Sequence, residues 1–145
     1  MSEYTYSRVD LAKEQLEFGL ALFLDHQSFA SAITLAGAAE EIFGKELLRR
    51  GSQPALEWKF DHMKVSHKLL HRKELQPKVF IAEENCIRNA LKHFGENDTT
   101  TLTANLEDAA CWMLVRACEN SKRLELEIAR FSDFDNWFYE HVVGI

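Results

Sequence analysis

Apolar residues recur at intervals of three, four or seven along almost the whole chain, and only two prolines, Pro54 and Pro77, interrupt the pattern. No run of any length alternates apolar and polar residues as a half-buried strand would. The periodicity therefore predicts an all-α protein, an up-and-down bundle of four to five helices with a short C-terminal capping helix. A first helix spans about Asp10 to Asp25. Ser28 suits an N-cap for a second, which carries Phe29, Ile33, Ala36, Phe43 and Leu47 on one stripe and stops at Gly51-Ser52. A third, rich in His and Lys, covers about Lys59 to Glu74. Pro77 opens a fourth that runs to Gly95. After a polar loop, a long helix repeats Leu106, Ala110, Met113, Ala117, Leu124 and Ile128 as far as Phe131. The segment from Phe131 to His141 carries four aromatics in its first eight positions, too much apolar bulk for a free tail, so it is expected to dock on the bundle.

At 145 residues and 46% hydrophobic content, residues 1–145 fit a single domain that buries a core without staples. Cys86, Cys111 and Cys118 are an odd set without a C-x-x-C pair, which argues against a disulfide framework and a zinc knuckle. No segment approaches the ~20 apolar residues of a membrane span, and the polar start lacks the layout of a secretory signal. The expectation is a cytoplasmic protein with no membrane partner.

A formal net charge of −6 opposes tight, nonspecific binding to a nucleic-acid backbone. The charge is unevenly spread, however. Between Lys59 and His93 eight basic residues face four acidic ones, and four of the six histidines fall in the same window. This stretch reads either as a basic patch on an acidic protein or as a solvated helix face. Within it His67 and His71 have the i, i+4 spacing of a zinc pair, with His62 and Asp61 upstream. No H-E-x-x-H pattern completes a ligand set, so the window is read as a basic, titratable, solvent-facing helix and no metal or cofactor is assigned. Trp58 and Trp112 read as core or rim aromatics, since neither lies in a sequence cluster of basic and aromatic residues.

Two residues carry the chemistry. Arg88 and His93 stand five positions apart in Ile87-Arg88-Asn89-Ala90-Leu91-Lys92-His93. A guanidinium presents a planar fork to a phosphate, and an imidazole in the last helical turn, where the helix dipole favours its charged form, can give or take a proton. Attack of an RNA 2′-hydroxyl on the adjacent phosphate needs these two functions and no metal. Asn89 can orient the imidazole or a ribose hydroxyl. On a continuous helix, Phe80, Cys86, Ile87, Ala90, Leu91 and Phe94 face the core, while Arg88, Lys92, Asn85, Asn89 and His93 face away, with Arg88 and His93 about 140° apart. An outward-facing set gains an enclosed site only when a two-fold partner covers it, hence the expectation of a homodimer. The plainer reading is a surface pair that compensates the helix dipole. Glu40 falls inside the apolar arc of the second helix and needs a partner there. Arg88 is the favoured one, either to fix the guanidinium for use at the site or as a structural ion pair.

At these residues the chain resembles the HEPN (higher eukaryote and prokaryote nucleotide-binding) superfamily. The resemblance lies in Arg88-Asn89-Ala90-Leu91-Lys92-His93, which has the form R-x(4-6)-H with a polar residue after the Arg, and in Ala32-Ile-Thr-Leu-Ala-Gly-Ala-Ala-Glu-Glu-Ile-Phe-Gly-Lys-Glu-Leu, which is similar to the helix upstream of that motif in HEPN-like bacterial proteins. It implies a small all-α bundle that dimerises, with Arg88 and His93 as the catalytic pair of a metal-independent ribonuclease and Asn89 in support; Glu40, from its place in the apolar arc, and Lys92, on the same face as Arg88, are taken as further supporting residues. RNA or a nucleotide is the implied ligand, and an antitoxin or nucleotidyltransferase the kind of protein partner it leaves open. Minimal toxin-type members carry a Tyr two residues beyond the His, where this chain has Gly95. Other members are inactive binding modules, which is the second functional expectation.

Overall fold

A computed structural model describes residues 1–144. Among these the chain is all-α, with seven helices and no strand: α1 (Arg8–His26), α2 (Phe29–Arg49), α3 (Ala55–His71), α4 (Pro77–Glu84), α5 (Cys86–Lys92), α6 (Leu106–Arg123) and α7 (Phe131–Phe138). A π-helical turn, Tyr139–Val143, follows α7. Among the described residues no helix is long and apolar enough to cross a membrane.

The core is made by α1, α2 and α6. Leu16, Leu20 and Phe23 of α1, Ile33, Ala36, Phe43 and Leu47 of α2, and Ala110, Leu114 and Ala117 of α6 are all buried in one cluster. Alanines and Gly37 on the inner stripe of α2 let its neighbours approach closely. α2 stops where the sequence predicts. Gly51 takes a left-handed φ of 75°, its N–H donates to Leu48 O and the Ser52 N–H to Leu47 O, closing the last carbonyls. The C-terminal segment docks as expected: Phe134 is buried, and Phe23 meets Phe134 and Trp137 edge-on at ring distances of 5.7 and 4.7 Å.

α3 is shifted a turn toward the N-terminus, Ala55–His71 against the expected Lys59 to Glu74, and two other expected helices end or break early. α6 ends at Arg123, well short of Phe131, because Glu125 adopts a left-handed φ of 60°. The Glu125 N–H donates to Lys122 O and the Leu126 N–H to Ser121 O, the bond pattern that terminates helices, here without a glycine to announce it. The segment from Pro77 toward Gly95 is also not one helix. It breaks at Asn85, whose backbone lies at φ −104°, ψ 7°, and α5 ends at Lys92. His93 is already extended, and the Gly95 N–H is taken up by Asp98 Oδ2 at 2.6 Å.

Candidate functional site

The break at Asn85 decides where the candidate residues point. Asn85 is buried, contrary to the continuous-helix reading, and Cys86 is exposed. The Asn85 side-chain oxygen accepts a hydrogen bond from Arg116 Nη1 at 2.9 Å. Because a tertiary bond holds this position inside, the register of α5 departs from that of α4, and Arg88 turns inward across α2 instead of away from the bundle.

There it meets Glu40. The Glu40 carboxylate is buried and shared by two guanidiniums: Oε1 accepts from Arg116 Nη2 at 2.9 Å, and Oε2 lies 3.6 Å from Arg88 Nη1. Glu40 thus has the partner the sequence indicated and a second, stronger one that it did not. The Arg88 stem reaches Glu40 by crossing Gly37, where an added Cβ would stand 2.5 Å from Arg88 Cδ. Asn120, wholly buried, ties the same region together. Its amide nitrogen donates to Glu40 O at 3.1 Å, and its oxygen accepts from the Ala55 N–H at 2.8 Å, occupying one of the free donors at the start of α3.

One carboxylate between two guanidiniums leaves one positive charge in excess. Arg116 is buried, so the excess is presented through Arg88, whose side chain retains 19% of its exposure. A half-buried guanidinium attracts an anion more strongly than one in open water, where the field is screened, and here Glu41 and Glu83 border the hollows that Arg88 lines and oppose it.

His93 lies elsewhere. With Asn89, Phe94 and the loop from Asp98 to Leu102 it borders a hollow of about 380 Å³ that Arg88 does not line. Asn89, Lys92 and His93 are all exposed. Arg88 instead lines a groove of about 620 Å³ between α2, α3 and α4, and a smaller hollow of about 120 Å³ with Ile87, Trp112 and Arg116. The larger groove has an apolar floor that includes Leu48, Phe60 and Ile81, and an acidic rim of Glu41, Glu57 and Asp61. Within this chain, then, Arg88 on α5 and His93 just beyond its end open into different hollows.

Three of the eight basic residues in the window are paired with its own acids. Lys59 pairs with Glu84, Lys64 with Asp61 and Lys68 with Glu74. Arg72, Lys73, Lys78 and Lys92 form no ion pair among the described residues. His67 and His71 stand side by side, ring centroids 4.7 Å apart, but no group of three or more His, Cys, Asp or Glu side chains is placed to hold a metal ion among the described residues. Burial pushes the thiols of Cys111 and Cys118 up to about 11 and about 12, which leaves both protonated at neutral pH.

The chain matches no family model, no curated protein and no solved structure. The HEPN likeness accordingly stands on the residues that carry it. Arg116 is the functional-region residue that the sequence reading missed. Its signal was present, an Arg three positions after Met113 and beside Ala117 in the apolar stripe of its helix, where a charge demands a partner as Glu40 does.

Proposed function

We propose that the protein is a HEPN-like homodimer that cleaves RNA without a metal, with Arg88 binding the reacting phosphate and His93 moving the proton. The observation that carries this reading is the Glu40–Arg88–Arg116 cluster. A buried acid holds the Arg88 guanidinium in place before any ligand arrives, and the second guanidinium keeps that acid from cancelling its charge. Preorganised positive charge of this kind is what a pentavalent phosphate, richer in charge than the ground state, binds best. His93, exposed at the end of α5, supplies a group able to deprotonate the 2′-hydroxyl or protonate the leaving 5′-oxygen. Asn89 and Lys92, exposed on the same turns, are available to the ribose and to a second phosphate.

Since Arg88 and His93 of one chain open into different hollows, the productive pair in this reading is Arg88 of one protomer with His93 of its partner. Two-fold symmetry then generates the site twice.

The second reading is a binding module with no turnover, and the groove beside Arg88 favours it. An apolar floor rimmed by Glu41, Glu57 and Asp61 repels a polyanion and suits a basic, apolar protein segment. Cleavage of RNA with a chelator present separates the two. Products ending in a 2′,3′-cyclic phosphate, lost in both Arg88→Ala and His93→Ala, are expected of the enzyme. Intact RNA under all conditions, with capture of a basic peptide, contradicts it.

A further inference from the structure

Trp58 of α3 and Trp112 of α6 lie far apart in sequence but line one cleft of about 440 Å³, and each indole is nearly half exposed there, at 47% and 46%. Exposed tryptophans are costly in water and are not isolated rim aromatics when two of them share a cavity. Each has one aromatic neighbour outside the cleft lining. His62 stacks on Trp58 with ring centroids 3.8 Å apart, and Phe138 meets Trp112 edge-on at 5.7 Å.

The charged residues at the cleft's rim are already matched, Lys59 with Glu84 and Arg123 with Glu119. The cleft itself is therefore an apolar, aromatic, near-neutral space. It adjoins the smaller hollow that Arg88 lines, because Glu84, Trp112 and Arg116 belong to the walls of both. Arg116, only 8% exposed, also carries the one buried side-chain nitrogen or oxygen among the described residues without a hydrogen-bond partner, its Nε. A buried donor left unpaired is unfavourable, which marks Arg116 as the least satisfied group in the wall that the two hollows share.

We propose that the Trp58–Trp112 cleft binds a nucleobase, with the attached phosphate directed toward Arg88. A base supplies a flat π face for the indoles and acceptor edges for Arg116, and the division of charge fixes its direction. The neutral ring enters the matched cleft, and the phosphate goes toward the two guanidiniums of the adjoining hollow, Arg88 and Arg116, which Glu83 and Glu84 also border. This deepens the ribonuclease reading and rests on it for the role of Arg88, but base binding is measurable without cleavage.

The test is fluorescence anisotropy of a short, fluorescein-labelled 2′-O-methyl oligoribonucleotide, which lacks the nucleophile and stays intact. Trp58→Leu and Trp112→Leu, which keep an apolar side chain but remove the π face, are expected to weaken binding by about tenfold or more each, while Trp58→Phe and Trp112→Phe stay close to the unsubstituted protein. Adenosine monophosphate that competes assigns the site to mononucleotides; failure to compete, with the oligonucleotide bound, assigns it to RNA. In the unsubstituted protein, magnetisation transfer from indole protons to the adenine ring is expected as an independent readout. No binding, or binding by the Leu variants equal to that of the unsubstituted protein, overturns the inference. Should the Leu variants bind normally while cleavage still depends on Arg88 and His93, the cleft fails and the ribonuclease reading stands; loss of that dependence removes the reading itself.

Discussion

Arg88 lies across Gly37 so closely that a Cβ on residue 37 would stand 2.5 Å from Arg88 Cδ and 3.0 Å from Cγ. A glycine in mid-helix costs about 1 kcal/mol relative to alanine, so Gly37→Ala removes one penalty from α2 and imposes a clash on Arg88. The arginine stem is flexible and can swing off Glu40. The expected outcome is a change in unfolding free energy of no more than about 1 kcal/mol, with cleavage reduced at least about tenfold through loss of the positioned phosphate contact. A denaturant titration alongside an RNA cleavage assay checks both halves; a variant with full activity contradicts the role given to the Glu40–Arg88 contact.

Removing Glu40 should act differently. Glu40→Ala leaves Arg116 buried with no carboxylate, and breaking a buried pair from one side costs about 3–5 kcal/mol. Glu40→Gln keeps an acceptor for Arg116 Nη2 and should cost clearly less. Chemical unfolding of the two variants gives the comparison, and equal stability of Glu40→Ala and the unsubstituted protein refutes the cluster as described.

Acid should weaken the link between α1 and α7. Hydrogen bonding from Arg130, reinforced by its charge, holds the Asp25 carboxyl below its ordinary value of 3.8. A depressed carboxyl contributes stability above the unfolded value, and that contribution is lost as the pH falls through the folded one. The stability advantage of the unsubstituted protein over Asp25→Asn is therefore present at neutral pH and shrinks as the pH drops below 3.8. Melting curves across the acid range measure it, and a gap that does not change with pH is the contrary result.

Thiol reactivity follows burial. Cys111 and Cys118, pushed up by burial to about 11 and about 12, offer little thiolate, while Cys86 is exposed at the start of α5. Near pH 8 one thiol per native chain should react rapidly with a chromogenic disulfide, and Cys86→Ser should abolish that phase. Rapid reaction of two or three thiols would mean that the α6 face of the core is open.

Much of the bundle was legible because periodicity reports burial directly. The stop at Gly51, the docking of the aromatic C-terminal segment and the need of Glu40 for a cation all follow from local rules. The breaks that move the candidate site were not legible. Glu125 ends α6 in a conformation usually left to glycine, and Asn85 interrupts the fourth helix because of a bond to Arg116, a residue thirty-one positions away. Neither position carries a proline or glycine signal. A helical wheel drawn across Asn85 consequently turned Arg88 outward, and the pairing of Trp58 with Trp112 on one cleft depends on the packing of α3 against α6, which no single helix encodes.

The pairing of Arg88 from one protomer with His93 of the other is tested most directly by subunit mixing. Arg88→Ala and His93→Ala, each inactive alone, are combined under conditions that exchange subunits, and RNA cleavage is followed with a chelator present. A mixed dimer keeps one intact Arg–His pair of its two, so random exchange should restore roughly a quarter of the unsubstituted activity. A mixture as silent as its components, although subunits demonstrably exchange and the unsubstituted protein cleaves, would contradict the shared site.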